Sequence, residues 1–330
     1  VKKMINSPEN AVKEMLEGFA LASPNDVELL ADYAVIKRKH LKEGKVAIIS
    51  GGGSGHEPAH AGYVGEGMLD AAVAGEVFTS PAPDQILAAM KAVHTGAGVL
   101  LIIKNYSGDV MNFEMAAELA EMEGISVEKV IVNDDVAVED SLFTTGRRGI
   151  AGTVFVHKIA GALAEQGASL LEIKQVCERA IERIRSMGMA LSPCIIPMSG
   201  KPSFSISENE MELGMGIHGE PGLERELLKS AADIAEALVE AVLHEEVFQT
   251  GDELAVMVNG LGATPMMELY IVNRTVQQLL KEKGFQVIKT FVGEYMTSLE
   301  MSGCSLTLFQ LDEQLKELLI ASSHAPAFKC

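Results

Sequence analysis

Two histidines stand in glycine-rich frames: His56 in GGGSGHEPAH (residues 51 to 60) and His218 in GMGIHGEPG (residues 214 to 222). An imidazole without bulky neighbours can approach a small ligand closely, as general acid or base or as a nucleophile. A turn histidine without chemistry is the structural alternative. Asp109 lies in KNYSGDVMNFE (residues 104 to 114), with Lys104, Asn105 and Ser107, directly after the apolar run GVLLII. At a strand end it would act as general base or orient a histidine, or else cap a helix.

The glycine loop invites two further interpretations, and both fail on spacing. No Lys follows the glycines as a Walker A loop requires, and the sixth position from Gly51 is His56, where a dinucleotide fingerprint needs glycine. What survives is a nest of backbone N–H groups suited to oxygen atoms, or simply a tight turn. His56 to His60 also matches the zinc-binding H-E-x-x-H pattern, which works only on one face of a continuous helix. Pro58 places the expected helix start after His56, so a metal site is not expected.

Other clusters are less specific. The acids of VNDDVAVEDS (residues 132 to 141) read as a solvated loop rather than a metal site. Arg147 and Arg148 in TTGRRGIAGT suit an anion, an acidic partner or a surface turn. VNGLGATP (residues 258 to 265) suits either an oxygen-binding turn or a close backbone approach.

These residues require elements to position them, and the chain supplies a repeated plan of apolar β-branched run, Gly/Asn/Asp turn and helix-like stretch. KVAIIS, AGVLLIIKN, VEKVIVN and ELAVMVNG each open one such unit. The expected fold is α/β, with two α/β domains, each a mixed or largely parallel sheet covered by helices. Ligands of such sheets gather at the carboxyl ends of strands. An amphipathic helical segment is expected over residues 152 to 188, followed by a Gly, Pro and Ser-rich stretch and a second helix opening after Pro221-Gly222. The boundary is placed near residue 190. Residues 1 to 190 would carry the glycine loop and Asp109, and residues 191 to 330 would carry His218, with a tail free to pack back on the first domain.

Composition narrows the function class. The 330 residues are 48% hydrophobic and carry a net charge of −19, which disfavours nucleic acid as a partner. GVLLII falls far short of the roughly 20 apolar residues of a membrane helix, and no leader pattern opens the chain, so a cytoplasmic location is expected. The four cysteines show no zinc spacing and are expected to be free thiols, with Cys330 exposed. Aromatics make up only 5% and Trp is absent, which points to a small substrate.

Four long motifs, GGGSGHEPAHAGYVGEGMLDAAVAGEVFTSP, KNYSGDVMNFE, VNDDVAVEDSLFTTGRRGIAGT and GMGIHGEPG, together resemble the dihydroxyacetone kinase family, specifically its substrate-binding subunit. The resemblance spans nearly the whole chain. It implies a phosphotransferase-system kinase of glycerol metabolism, acting as a homodimer. This subunit would bind no cofactor of its own. ADP or ATP with Mg²⁺ would reside on a nucleotide-binding partner subunit that a phosphocarrier recharges. His218 would capture dihydroxyacetone as a hemiaminal, and His56 and Asp109 would handle the hydroxyl proton. Gly53, Ser54, Gly55, His56, Ser80, Lys104, Asp109 and His218 would bind substrate. Two departures, Ala82 where a threonine is expected and the tail SSHAPAFKC, leave a longer ketose such as erythrulose open. A ketone-sensing transcriptional coactivator is the alternative of another class.

Overall fold

A computed structural model describes residues 2–138 and 146–330. Its first sheet contains β1 (Val27–Leu29), β2 (Val35–Arg38), β3 (Ala47–Ser54), β4 (Ala71–Val77), β5 (Val99–Lys104) and β6 (Val127–Val132), in the order β1-β2-β4-β3-β5-β6. The four strands β4, β3, β5 and β6 run parallel, and β1 and β2 add an antiparallel edge. Parallel strands covered on both faces need apolar side chains at every position. Accordingly, all residues of β3 and β5 are buried.

Side-chain alternation then assigns the two faces. Ala47, Ile49, Leu101 and Ile103 meet α2 (Pro83–Val93) and α3 (Ser107–Met122) through Ile86, Met90 and Phe113. Ile48, Leu100 and Ile102 meet α1 (Ala11–Ala22), α4 (Thr153–Glu165) and α5 (Leu170–Ile181) through Leu16, Ile159 and Ile173. Each fully buried Leu or Ile contributes roughly 1.5–3 kcal/mol, so a one-residue register slip would forfeit the whole set. Ala82 is the N-cap of α2 and, having no hydroxyl, makes no side-chain cap, whereas threonine is among the residues preferred there.

The second sheet is mixed and mostly antiparallel: β7 (Ile184–Ser192), β8 (Glu210–Leu213), β9 (Glu224–Leu227), β10 (Glu253–Gly260), β11 (Gln286–Gly293) and β12 (Ser302–Leu311), in the order β11-β10-β12-β7-β8-β9. Leu254, Val256 and Val258 of β10 face α6 (Ala231–Leu243) and α7 (Met266–Glu282), whereas Ala255 and Met257 face the first half of the molecule. Between the two halves lies α4, buried from Thr153 to Ala164. Its Phe155 packs on Phe291 and Phe309 of the second sheet, with ring centroids 5.5 and 5.4 Å apart. Every residue of α4 from Thr153 to Ala164 is enclosed, His157 and Lys158 among them, and enclosing α4 locks the two sheets together.

The α/β class with helix-covered sheets is as expected, and several local expectations need correction. Residues 152 to 188 do not form one helix: α4 ends at Glu165, α5 at Ile181, and Ile184 already begins β7. The division expected at residue 190 falls inside β7, which pairs with β12 from Ile184 onward. No helix opens after Pro221-Gly222, because Glu224–Leu227 pairs with β8 as strand β9 and α6 starts only at Ala231. Pro58 likewise starts no α-helix; a single 3₁₀ turn, Ala61–Tyr63, follows it. The tail forms a short hairpin, β13 (His324–Ala325) with β14 (Phe328–Lys329), after α8 (Glu313–Ile320). It packs back on the first half, where His324 N donates to Glu66 O and the Phe328 ring meets Tyr63.

Cys177, Cys194 and Cys304 are buried free thiols, and Cys330 is exposed. Among the described residues no helix is long and apolar enough to cross a membrane.

Candidate functional site

A cavity of about 510 Å³ opens between the two halves, lined by Gly53, Ser80, Asp109, Tyr106, His218 and Glu220, among others. Its floor is the carboxyl end of the first sheet, where β3, β4 and β5 give way to loops. Gly53 faces the Phe78–Thr79 backbone so closely that a Cβ would lie 2.5 Å from Thr79 N. Gly55 has φ +102° and is wedged between Phe78 and Leu299, so the turn admits only glycine. Backbone bonds from Leu299 N to Gly55 O and from Thr297 N to His56 O fasten this loop to the second half.

That clamp aims His56. Its Nδ1 lies 2.7 Å from the Thr297 carbonyl, and its Nε2 lies 3.0 Å from His218 Nε2, 162 positions away in sequence. Phe78 stacks on the fully buried His56 ring, and Phe78 and Tyr106 meet His218 edge-on. Burial, followed by the positive charge of Lys104, holds His56 well below the usual imidazole value. His218 is clasped by Glu220, with its Nδ1 2.7 Å from one carboxylate oxygen and its backbone N–H donating to the other at 2.9 Å.

Asp109 and Lys104 approach from the first sheet. Asp109 is 3% exposed in the first turn of α3, three residues beyond the N-cap Tyr106, and it lines the cavity. Lys104, the last residue of β5, is fully buried, and its ammonium has no hydrogen-bond partner. Both side chains lie against Gly52, with Nζ 3.3 Å and Oδ2 3.5 Å from where a Cβ would stand. Burial lowers the Lys104 ammonium from its ordinary value, while Asp109 opposes that loss.

Of the remaining candidates, Ser80 lines the cavity beside Gly108, whose missing side chain leaves room for the Ser80 hydroxyl. Ser54 and Gly55 have protein partners instead: the Ser54 hydroxyl donates to Gly75 O, and Gly55 N–H donates to the Glu57 carboxylate. His56 and His60 do not converge as metal ligands, since His60 Nδ1 meets His157 at 2.9 Å. Among the described residues no group of three or more potential ligands could hold a metal ion.

The charged motifs are used internally. Asp134 and Asp135, expected in a solvated loop, are fully buried: Asp134 accepts from Ile150 N, Gly152 N and Ser186, and Asp135 pairs with Arg148. Arg147 binds Glu245 through two bonds, and Arg148 is fully buried, so neither awaits an external anion. Glu139, Asp140 and Ser141, with Thr144 and Thr145, lie outside the described residues. VNGLGATP is a close backbone approach: a Cβ on Gly262 would stand 1.7 Å from Leu299 O. Sequence reasoning passed over Phe78, Tyr106, Glu220 and Thr297. Only Glu220, two residues from His218, left a local trace in HGEP.

The Dak1 domain model matches residues 17–327. The chain is 55% identical over 314 residues to the dihydroxyacetone-binding subunit DhaK of PTS-dependent dihydroxyacetone kinase 1 from Listeria innocua, covering 95% of each. Among solved structures it resembles the dihydroxyacetone kinase of C. freundii (TM-score 0.92, 38% identity), covering 99% of this chain and 60% of that one. It also resembles the dihydroxyacetone kinase operon co-activator Dha-DhaQ (TM-score 0.90, 41% identity), covering 95% and 97%.

Proposed function

We propose, from the premise that the chain belongs to the Dak1 domain family, that it is the dihydroxyacetone-binding subunit of a phosphotransferase-system kinase and captures its substrate covalently on His218. One observation carries this reading: His218 Nε2 stands at the cavity wall, 3.0 Å from His56 Nε2, while the other nitrogen of each ring is held by an acceptor. A carbonyl and a carboxylate accept only, which assigns a proton to Nδ1 of both rings. The Nε2 contact is then a hydrogen bond only if one further proton bridges the pair.

That proton balances the capture step. His218 Nε2 adds to the ketone carbon, the C=O π pair becomes an oxygen lone pair, and His56 delivers the bridging proton to that oxygen. The product is a hydroxyl and a carbon-substituted imidazolium facing Glu220. Burial holds His56 well below the usual imidazole value, so this ring keeps the extra proton only while it is shared with His218 Nε2 and gives it up once that nitrogen bonds to carbon. Lys104 holds a buried ammonium without a hydrogen-bond partner beside Gly52 and Asp109, and a substrate oxygen reaching that point would satisfy it.

Anchoring fixes the terminal hydroxyl for attack on a phosphoryl group, and Asp109, within the cavity, accepts its proton. The donor is nucleotide with Mg²⁺ on the partner subunit, as the family resemblance implies. Glycerol has no carbonyl and is refused by reactivity, where shape alone discriminates weakly. With dihydroxyacetone ¹³C-labelled at its ketone carbon, NMR should show a tetrahedral carbon bound to the wild-type protein and none with His218→Ala. A bound ketone that stays trigonal in the wild-type chain would refute covalent capture. The co-activator likeness favours a second reading, ketone sensing without turnover. Phosphorylation by the chain with its nucleotide-loaded partner subunit decides between them.

A further inference from the structure

We propose that Glu220, backed by the buried Arg148–Asp135 pair, is the positioning residue that holds His218 in the one tautomer whose Nε2 can attack a carbonyl. The inference deepens the proposed function and takes its substrate from it. An imidazole alone in water exchanges its proton between both nitrogens, and only the form protonated at Nδ1 presents a lone pair at Nε2. Glu220 selects that form because an ionised carboxylate cannot donate. One of its oxygens takes the ring Nδ1–H at 2.7 Å and the other takes the backbone N–H of the same residue at 2.9 Å, so ring and main chain are fixed together.

The loop is built for this grip. Gly219, at φ +79°, folds the chain back so that residue 220 returns onto residue 218. Gly216 leaves no space for a side chain: a Cβ there would lie 2.1 Å from Glu220 Oε2 and 2.7 Å from Arg148 Nη1. Carboxylate and guanidinium therefore both occupy the space that a side chain on Gly216 would need. Arg148 is itself immobile, donating through Nε to Asp135 and through Nη2 to Gly214 O, both at 2.7 Å, while Nη1 has no partner.

Electrostatics keep the carboxylate ionised. Burial pushes Glu220 up, but His218 and Arg148 outweigh it and hold Glu220 down to about 2. The other charged or titratable groups around His218 are His56, Lys104, Asp109 and Tyr106, and of these His56 alone touches a ring nitrogen. Glu220 is thus the partner that sets the proton on Nδ1.

The test uses the full-length chain, ¹⁵N-labelled at histidine, with and without ketone-labelled dihydroxyacetone. In the ligand-free wild-type protein, NMR should report His218 protonated at Nδ1. Glu220→Gln has an amide that can turn its NH₂ toward the ring, so Nδ1 protonation should fall and affinity for the covalent adduct should drop at least tenfold. Glu220→Asp should restore part of both. Gly216→Ala keeps the carboxylate but displaces it, and should behave like Glu220→Gln, which covers the case in which the glutamine variant does not fold. Wild-type Nδ1 protonation and adduct affinity in both Glu220→Gln and Gly216→Ala would overturn the proposal. A wild-type chain that shows the tautomer without an adduct would instead refute the capture chemistry, leaving the Glu220 assignment to be decided by the tautomer in the variants.

Discussion

Replacing Gly53 by Ala should damage the site out of proportion to one methyl group. The added Cβ would stand 2.5 Å from Thr79 N and 2.8 Å from Phe78 C and Cα. Ordinary contact begins near 3.4 Å, so the segment after β4 must retreat from 2.5 to 3.4 Å, about 0.9 Å. The obstructing atoms are backbone and cannot rotate away. Phe78 already has a left-handed φ of 56°, which leaves little freedom to absorb the strain. Because Phe78 stacks on His56 and meets His218 edge-on, and Ser80 follows it in the cavity wall, the shift passes directly to the reacting groups. Overpacking of this kind costs about 1–3 kcal/mol, and a 1 Å misplacement at a reacting centre costs roughly 10²-fold in rate. The assay is phosphorylation of dihydroxyacetone with the nucleotide-loaded partner subunit, read beside urea unfolding. Gly18→Ala serves as the control. Gly18 is exposed in α1 with nothing within 4 Å of a new Cβ, so that variant should gain about 0.5–1 kcal/mol and keep full turnover. A Gly53→Ala protein with wild-type turnover and stability would show that the loop has slack, and the steric reasoning would fail.

Two further outcomes are expected. Asp109→Asn should retain ketone capture by NMR while turnover falls roughly 10²-fold or more, the scale of a lost general base; unchanged turnover removes Asp109 from the chemistry. His157, buried in α4 against His60, is held down to about 3 by burial and then by Lys104. A base with a depressed folded-state value stabilises the fold above its unfolded value near 6.5, and that stability is lost as pH falls from there toward 3. Between pH 7.5 and 5 this group should account for roughly 2 kcal/mol of lost stability. His157→Gln should flatten the urea-measured acid dependence by about that amount, and an unaltered slope would show that His157 titrates normally.

Much of the molecule was legible locally. β-Branched runs ending in Gly, Asn or Asp announced β3, β5, β6 and β10, because strand-forming patterns and turn residues act over a few neighbours. Glycine frames marked His56 and His218, and the position of Asp109 after an apolar run put it at a strand end. Local pattern misled where neighbours alone were ambiguous. Residues 223 to 230 have helical composition, but β8 offered an open edge and Glu224–Leu227 paired with it. Asp135 and Arg148 each look like surface residues until the fold brings them together, when mutual neutralisation makes burial tolerable.

The chain by itself determined which chemical groups are present and that turns, rather than helices, carry two of them. Tertiary structure alone decided that His56 and His218 meet, that Thr297 fixes one ring, and that Lys104 is left without a partner. The physical reason is range. Periodicity and turn chemistry are settled within about ten residues, whereas the 3.0 Å contact between His56 and His218 depends on how two sheets seat against α4. That seating is decided by close packing of the whole core, with no short stretch of sequence to record it.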